Sequence, residues 1–235
     1  YFYDSATVPS YLYAAANGAR VISCSFFSDR VSQAERDAID FIADHGVLPV
    51  VAAGNDNSII PFYPAAYEKS LAVGAVGNNL LKAGFSNFGT WVDVAAPGTS
   101  LRTTSTNSSG YTSGFGGTSG ATPHVAGLAA LLFGANPLAT PAEVRAAIED
   151  SALPTIQSHF GEWTNYGLIQ ADAALAALMS PLPPRTPKVA YMTPLGANVV
   201  DPLPSEGFHR ARIHGRGFQP PRVVEVRFGG VPTTI

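Results

Sequence analysis

The chain has little charge and no apolar run long enough to cross a bilayer. Charged residues make up 13% of its 235 residues, about half the ~25% of an average soluble protein. With 14 basic and 17 acidic residues the net charge is −3, and no Lys/Arg cluster marks a surface for nucleic acid or anionic lipid. The longest unbroken apolar run covers only residues 125–135, whereas a membrane span needs about 20 residues. We therefore expect no nucleic-acid partner and no membrane span.

The chain has one cysteine, Cys24, which excludes an internal disulfide and leaves the redox compartment open. Cys24 lies in a predicted strand, where the role of a small buried apolar residue is favoured over that of a nucleophile. The chain begins at Tyr1 and shows no signal peptide. We expect it to be a processed product or an excerpt of a longer protein.

Glycine and proline, with 23 and 19 residues, cluster in two regions. Residues 107–117 read NSSGYTSGFGG, which predicts a flexible loop in place of a strand or helix. Residues 180–188 read SPLPPRTPK, and the prolines there favour a stiff spacer between domains. We predict a first domain at residues 1–180, a linker at 181–188 and a second domain at 189–235.

Strand-like apolar runs alternate with helix-period segments before the spacer, which predicts an α/β fold with a parallel sheet flanked by helices. The predicted strands are residues 20–26, 47–52, 70–76 and 91–95. The predicted helices are residues 32–46, 120–135, 140–152 and 171–179. Capping boxes open two of them, at Ser32 and Thr140. The helix at 120–135 is mostly apolar all round, which predicts a buried helix.

The sequence alternates between polar and apolar residues beyond the spacer, at 210–213 and 223–228. Gly229 and Gly230 follow as a predicted turn. This texture predicts a small all-β segment.

A serine lies where a glycine-rich loop meets the predicted helix at 120–135. The stretch from Gly117 to Gly127 reads GTSGATPHVAG and places Ser119 beside helical N–H groups that have no intrahelical acceptor. These groups and the helix dipole would stabilise an oxyanion formed next to the serine. Taken alone, a serine in this setting is more often the N-cap of a core helix.

The stretch GTSGATPHVAG resembles the serine motif of the subtilisin-like serine proteases, the subtilases. Three further stretches match in the family's order, namely VISCSF at 21–26, VVAAGN at 50–55 and FSNFGTWVDVAAPG at 85–98. YGLIQADAAL at 166–175 is similar to the helix entry that closes the subtilase domain. The resemblance covers residues 1–180 and implies a serine endopeptidase that cleaves protein or peptide substrates by acyl transfer.

The resemblance implies two catalytic residues. Ser119 matches the nucleophile, and Asn55 matches the side-chain donor that joins the Ser119 backbone N–H in binding the oxyanion. Without the resemblance, an asparagine that follows a glycine, as Asn55 follows Gly54, is more often a turn residue. Asn55 nevertheless follows a predicted buried strand, and open parallel sheets place their active sites at the carboxyl ends of strands. Gly120 departs from the family, which usually has a side chain such as methionine there, and we expect it to loosen the backbone beside Ser119.

The resemblance also implies two walls of a primary specificity pocket, along which an extended substrate would pair as an added strand. The wall residues are Ser25, Phe26, Phe27, Ala52, Ala53 and Gly54. Phe27 departs from the family, which typically has glycine at that position. Its bulk either narrows the pocket or moves the wall outward.

The catalytic base is missing from the matched motifs. A serine hydroxyl needs a histidine to take its proton and a carboxylate to orient that histidine, and in subtilases both precede the serine, in motifs that this sequence lacks. His45 suits a helix C-terminus and His124 lies on the helix of the serine. The remaining histidines follow the core elements; they are His159, His209 and His214. We expect the aspartate and histidine to lie upstream of Tyr1, and the chain alone to be inactive.

Three further expectations follow from family resemblance. Subtilases often bind calcium, but Asp56 and Asp93 read as polar turn or strand-end residues, so no calcium ligands are assigned. No other cofactor is identified.

Residues 189–235 resemble the start of an Ig-like IPT/TIG domain, through RIHGRGF at 212–218 and VRFGGVPTTI at 226–235, which implies a truncated β-sandwich. The family and the low charge indicate a location outside the cell or at its surface.

Two other functions are compatible with the residues. Gly117, Ser119 and Ala121 approximate the G-x-S-x-G motif of the α/β-hydrolases, but that motif needs a buried strand directly before the serine, where this chain is rich in glycine and serine. A pseudoprotease or adhesion module would keep the subtilase scaffold for binding and use the β tail. The sequence upstream of Tyr1 would decide between that module and a protease.

Overall fold

The structure, a computed structural model, divides the chain into two units, Tyr1–Pro181 and Leu182–Ile235. The residues that it describes are 4–106, 110–154, 156–157, 161–180, 188–194, 211–216, 225–228 and 231–234. The helices are α1 (Asp4–Ala16), α2 (Gln33–Asp44), α3 (Thr118–Ala135), α4 (Pro141–Asp150) and α5 (Ala171–Met179). The strands of the first unit are β1 (Val21–Cys24), β2 (Leu48–Ala52), β3 (Leu71–Val76), β4 (Val94–Pro97), β5 (Leu101–Thr104), β6 (Tyr111–Phe115), β7 (Ile156–Gln157), β8 (Gly161–Glu162) and β9 (Gly167–Leu168). Those of the second unit are β10 (Lys188–Pro194), β11 (Ala211–Arg216), β12 (Glu225–Phe228) and β13 (Val231–Thr234).

The central sheet of the first unit has the strand order β1-β2-β3-β4-β9, and all neighbouring strands are parallel. The predicted α/β fold is therefore confirmed. One strand is displaced from its prediction, since β4 was expected at residues 91–95 and lies at Val94–Pro97. Trp91 instead donates its indole N–H to the Ile59 carbonyl at 2.8 Å.

Both faces of this sheet are covered by helices, which explains why β2 and β3 are apolar at nearly every position. Successive side chains of a strand point to opposite faces. Val50 and Val73 accordingly join a core cluster with residues of α3, α4 and α5. Val51 and Ala72 join a second cluster with residues of α1 and α2. The sheet thus lies between these two groups of helices.

Helices α2 and α4 begin at the predicted caps, but only α4 has the full capping box. The Thr140 N–H donates to Glu143 Oε2 at 2.7 Å and the Glu143 N–H donates to Thr140 Oγ1 at 3.2 Å. At α2 the Ser32 hydroxyl accepts from the Glu35 N–H at 3.1 Å. The Glu35 carboxylate turns away and accepts from the Tyr11 hydroxyl of α1 at 3.1 Å. The box predicted at Ser32 is therefore only half formed.

Helix α3 starts at Thr118 and is buried on one face only. Val125 and Ala129 are fully buried, whereas Leu131 is 72% exposed. The predicted burial is confirmed for one face of α3 only, because the helix packs on the sheet with that face and turns Leu131 outward. Within the described residues, no helix is both long and apolar enough to span a membrane.

Strands β5 and β6 form an antiparallel hairpin, although the sequence predicted a loop over residues 107–117. Thr104 pairs with Tyr111 and Leu101 pairs with Phe115. Tyr111 and Phe115 are both exposed, and β6 shows little of the alternation that identifies a strand. Residues 107–109 lie outside the described residues.

The second unit contains two antiparallel pairs among its described residues, β10 with β11 and β12 with β13. Strands β11 and β12 correspond to the predicted strands at 210–213 and 223–228. Lys188, the last residue of the predicted linker, is the first residue of β10. Residues 181–187 of that linker and the predicted turn at 229–230 lie outside the described residues.

A buried ionic cluster ties α4 to the sheet. Arg145 Nη2 lies 3.1 Å from Asp93 Oδ2 and Arg145 Nε lies 2.6 Å from Glu149 Oε1. Arg145 also donates to the Glu68 carbonyl at 2.8 Å, and Asp93 accepts from the Ala72 N–H of β3 at 2.8 Å. The Asp93 and Glu149 side chains are only 10% and 3% exposed. One guanidinium therefore neutralises two carboxylates that are largely removed from water.

We predict that Arg145→Met lowers the free energy of unfolding by about 3–5 kcal/mol, because it leaves Asp93 and Glu149 buried without a counter-charge. Urea unfolding at neutral pH measures this. Combining Arg145→Met with Asp93→Asn and Glu149→Gln removes all three charges and should recover most of the loss. Arg30→Met, at an exposed arginine, is the control and should change stability by less than about 0.5 kcal/mol. A loss no larger than that of the control would contradict the role of the cluster.

The same cluster makes stability depend on pH. Burial raises the pKa of Asp93 from 3.8 to about 7, with Arg145 opposing the rise and Glu149 adding to it. Between about pH 4 and pH 7 the folded state therefore binds more protons than the unfolded state, so the contribution of Asp93 to stability falls as the pH rises. We expect the unfolding free energy of the unsubstituted protein to decline relative to Asp93→Asn over this window in urea titrations. A difference that is constant with pH would contradict this.

Candidate active site

The loop after β2 carries Asn55 and is held by a second asparagine, Asn87. Asn87 is fully buried, and its Oδ1 accepts from the N–H groups of Asp56 at 3.0 Å and Ser58 at 2.9 Å. Its Nδ2 donates to the Ala53 carbonyl at 2.9 Å. These bonds fix the backbone on both sides of Asn55.

Gly54, directly before Asn55, is a position that no other residue fits. Its φ of +103° lies in the region that favours glycine. A Cβ there would also lie 2.5 Å from Asn87 Nδ2 and 2.8 Å from Phe62 Cδ2. The Asn87 amide and the Phe62 ring therefore pack directly on the backbone of Gly54.

Thr118 joins the first turn of α3 to Asn55. The Thr118 N–H and hydroxyl donate to Asn55 Oδ1 at 2.8 and 3.0 Å, and the Gly54 N–H donates to the same hydroxyl at 3.2 Å. The N-cap residue Gly117 makes no side-chain cap bond, so Asn55 Oδ1 caps the helix in its place. Because both bonds from Thr118 fall on Oδ1, Nδ2 is the end of the Asn55 amide that remains for a ligand.

Asn55 Nδ2 and the backbone nitrogen of Ser119 both lie close to Gly117. A Cβ on Gly117 would lie 3.5 Å from Asn55 Nδ2 and 3.6 Å from both Asn55 Oδ1 and Ser119 N. Ser119 is half-buried and sits in the first helical turn, where N–H groups lack intrahelical acceptors. Two donors from different elements therefore converge where an anionic oxygen could be held.

Gly120 lies under the β5–β6 hairpin. A Cβ at Gly120 would stand 2.5 Å from Leu101 Cδ1 and 3.4 Å from Phe115 Cε1. Gly120 is buried, and the expectation that it loosens the backbone beside Ser119 stays a prediction. The missing side chain makes room for the side chains of the hairpin.

The segment after β1 contacts the start of α3 and carries Phe27, one ring of an aromatic pair. Ser25 Oγ donates to the Ser119 carbonyl at 3.3 Å. Phe27 is 44% exposed, and its ring stacks on Phe62 with centroids 4.9 Å apart and planes 12° apart.

The other three wall residues are more enclosed. Ala52 and Ala53 are buried at 1% and 0% exposure. Phe26 is half-buried and stacks on Tyr11 with centroids 6.5 Å apart, in the core cluster beside α1 and α2. The predicted residues that the structure gathers around the loop after β2 and the start of α3 are Ser25, Phe27, Gly54, Asn55 and Ser119.

The histidines whose side chains are described each bind their own helix. His45 Nδ1 lies 2.7 Å from the Phe41 carbonyl, and its ring stacks on Phe41 at 4.0 Å. His124 Nδ1 lies 2.8 Å from the Gly120 carbonyl. Neither of these two histidines is hydrogen-bonded to the Ser119 hydroxyl.

No group of three or more His, Cys, Asp or Glu side chains able to hold a metal ion occurs in the described part of the chain. Asp93 is engaged by Arg145 and the Ala72 N–H, and Asp56 is exposed on the loop after Asn55. No ligand set for calcium is therefore assigned.

Three residues of this arrangement were not singled out from the sequence. Asn87 lies within FSNFGTWVDVAAPG and Thr118 within GTSGATPHVAG, so the matched stretches contained them without revealing their roles. Phe62 lies outside every matched stretch. Their roles depend on contacts across the fold.

Comparison with known proteins matches the first unit. A model of the subtilase family matches residues 2–177. A thermophilic serine proteinase from Bacillus sp. (strain AK1) is 44% identical over 165 residues, which is 70% of this chain and 39% of that protein. Thermitase from Thermoactinomyces vulgaris is 42% identical over 140 residues, 60% of this chain and 49% of thermitase. The chain thus spans less than half of the length of these two relatives.

Solved structures agree with the parallel sheet and its flanking helices. The structure of the prenylagaramide maturation protease PagA has a TM-score of 0.69 and 26% identity, covering 76% of this chain and 69% of that chain. A protease from Pseudoalteromonas arctica PAMC 21717 has a TM-score of 0.61 and 32% identity, covering 69% of this chain and 52% of that chain.

We predict that Thr118→Val, which has nearly the same shape but no hydroxyl, lowers the free energy of unfolding by about 1–3 kcal/mol. The reason is that the buried Gly54 N–H loses its acceptor. Thr118→Ser keeps the hydroxyl and is the matched control, with an expected loss of about 0.8 kcal/mol for the missing methyl group. Urea unfolding compares the two, and hydrogen exchange at the Gly54 amide should be faster in Thr118→Val only. Equal stability and equal exchange in the two variants would contradict the role of the hydroxyl.

Proposed function

This chain belongs to the subtilase family, and from that membership we propose that it carries the nucleophile and the oxyanion donors of a serine endopeptidase. The Ser119 hydroxyl attacks the carbonyl carbon of a peptide bond, which forms the Oγ–C bond and puts negative charge on the carbonyl oxygen. The C–N bond then breaks, and the leaving amine takes the proton that the general base removed from Ser119. Water hydrolyses the acyl-enzyme by the same route. The substrates are proteins or peptides.

The observation that carries this proposal is that Asn55 Nδ2 and the Ser119 N–H lie close to the same position beside Gly117. Both lie 3.5–3.6 Å from the position of a Cβ on Gly117. Donors held in place before the reaction stabilise the oxyanion without a reorganisation cost. The helix dipole of α3 adds to this stabilisation at its N-terminus.

The substrate backbone is proposed to run between the segment of Ser25, Phe26 and Phe27 and the segment of Ala52, Ala53 and Gly54. An extended peptide pairs there through its main chain, as in other cases of strand addition. The Ser25 hydroxyl, bonded to the Ser119 carbonyl, supports the placement of the first segment beside the nucleophile. The burial of Ala52 and Ala53 means that their backbone, and not their side chains, would contact the substrate.

The general base is proposed to come from a part of the longer protein that precedes this chain, together with the carboxylate that orients it. His45 and His124 are each engaged with a carbonyl of their own helix, which supports this division. The chain by itself is then inactive, and a longer protein that includes the histidine and aspartate is the active form.

Two further parts of the proposal rest on family resemblance. Residues 189–235 are proposed to begin an IPT/TIG-like domain, which the antiparallel pairs β10–β11 and β12–β13 support. The protein is proposed to act outside the cell or at its surface.

The test is labelling of the full-length protein with a fluorophosphonate probe. We expect labelling that is lost in Ser119→Ala and kept in Ser10→Ala, an exposed serine of α1 that bonds to the Ala6 carbonyl. The present chain alone should label negligibly. Labelling that survives Ser119→Ala would exclude Ser119 as the nucleophile, and an unlabelled full-length protein would favour a pseudoprotease or adhesion module.

A second measurement tests the oxyanion donor. We predict that Asn55→Ala lowers kcat of the full-length protein by about 10²–10³-fold, the loss known for removing one such donor from a subtilisin. Asn17→Ala is the matched control, because Asn17 is exposed and bonds only to the Tyr13 carbonyl in α1. A loss at Asn55 below tenfold would contradict its proposed role.

A further inference from the structure

The two segments beside Ser119 are connected by a pair of aromatic rings. The Phe62 ring lies on the backbone of Gly54, since Cδ2 and Cε2 would be 2.8 and 3.3 Å from a Cβ there. The Phe27 ring stacks on the Phe62 ring, with centroids 4.9 Å apart. Phe27 is two residues after Ser25, which bonds to the Ser119 carbonyl. The ring pair therefore links the segment that starts at Ser25 to the backbone of Gly54.

The backbone holds the two rings in register. The Ser28 N–H donates to the Tyr63 carbonyl at 2.7 Å, and the Tyr63 N–H donates to the Ser28 carbonyl at 2.9 Å. Phe27 and Phe62 directly precede these two residues, so the bridge fixes where both side chains begin. Near-parallel stacking is itself a favourable arrangement of two aromatic rings. The pair is thus a built feature of this part of the surface.

The position of the rings bears on the part of a substrate that bonds to Ser119. With the carbonyl oxygen held by Asn55 Nδ2 and the Ser119 N–H, the acyl residue has its Cα next to Gly54 and Ser25. Its side chain then begins beside the Phe27 and Phe62 rings, which link the same two segments. A large side chain can enter only if it displaces a ring and breaks the stack.

We propose that the Phe27–Phe62 pair restricts one residue of the substrate, the one whose carbonyl carbon is attacked by Ser119, to glycine, alanine or serine. This rests on the proposed function, because it assigns the specificity of the same site. Phe27 and Phe62 act here as specificity-determining residues, and neither takes part in the chemical step. Peptides with leucine or phenylalanine at that position are poor substrates because they compete with the rings for one space.

The test uses the full-length protein and a series of tetrapeptide p-nitroanilides that differ only in the residue next to the anilide, namely glycine, alanine, leucine or phenylalanine. We expect kcat/KM for the alanine peptide to exceed that for the phenylalanine peptide by about tenfold or more. Phe27→Ala and Phe62→Ala should each raise the phenylalanine-to-alanine ratio of kcat/KM by about tenfold or more. Phe41→Ala is the matched control and should leave the ratio unchanged, because Phe41 is an exposed ring stacked on His45 in α2.

The outcomes separate this inference from the function on which it rests. Hydrolysis that persists in Ser119→Ala overturns the proposed function. Ser119-dependent hydrolysis with equal kcat/KM for the alanine and phenylalanine peptides, or with an unchanged ratio in Phe27→Ala, overturns the inference alone. Thermal unfolding by circular dichroism verifies that each variant is folded, and Phe27→Ala carries the test if Phe62→Ala is not, because Phe27 is 44% exposed.

Discussion

The hydroxyl of Thr118 is the link on which the candidate site depends. It accepts from the Gly54 N–H at the end of β2 and donates to Asn55 Oδ1. The Thr118 backbone N–H, which can only donate, ends on the same Oδ1 at 2.8 Å, and this decides which end of the Asn55 amide is the oxygen and which is the donor. Turned the other way, the same amide would present an acceptor to a developing oxyanion and repel it. Thr118 thus sets the electrostatic sign of the candidate site through two bonds to one oxygen, while the Asn87 side chain bonds to the backbone on both sides of Asn55.

The parts of the fold and of the candidate site that could be predicted depend on residues that are close together in the sequence. Ser119 and Asn55 each lie in a long matched stretch, and the apolar run before Asn55 identified β2 as a buried strand. Parallel packing then accounts for their meeting, because strand ends and helix starts gather at one edge of such a sheet. The capping box at Thr140 was equally predictable, since all of its atoms lie within one turn of helix.

The parts that could not be predicted depend on contacts between residues far apart in the chain. Asn87 holds a backbone that lies 31 residues before it, and no local pattern distinguishes it from a turn asparagine. Glu35 leaves its predicted box because burial beside Tyr11 offers another partner, a case of tertiary structure overriding local propensity. β6 could not be predicted because its residues are mostly exposed and show no regular alternation of apolar and polar side chains. Phe62 meets Phe27 only because a backbone bridge between Ser28 and Tyr63 brings two loops together.

The reactivity of the single thiol of the chain measures how often the structure around it opens. Cys24 is 2% exposed at the end of β1, and burial raises its pKa to about 12, so in the closed state it is both inaccessible and protonated. A thiol reagent can modify it only when the α1–α2 side of the sheet separates from β1. Because no second cysteine competes, the modification rate of the native protein would report the free energy of that separation, in the same way that amide exchange reports the opening of a hydrogen bond.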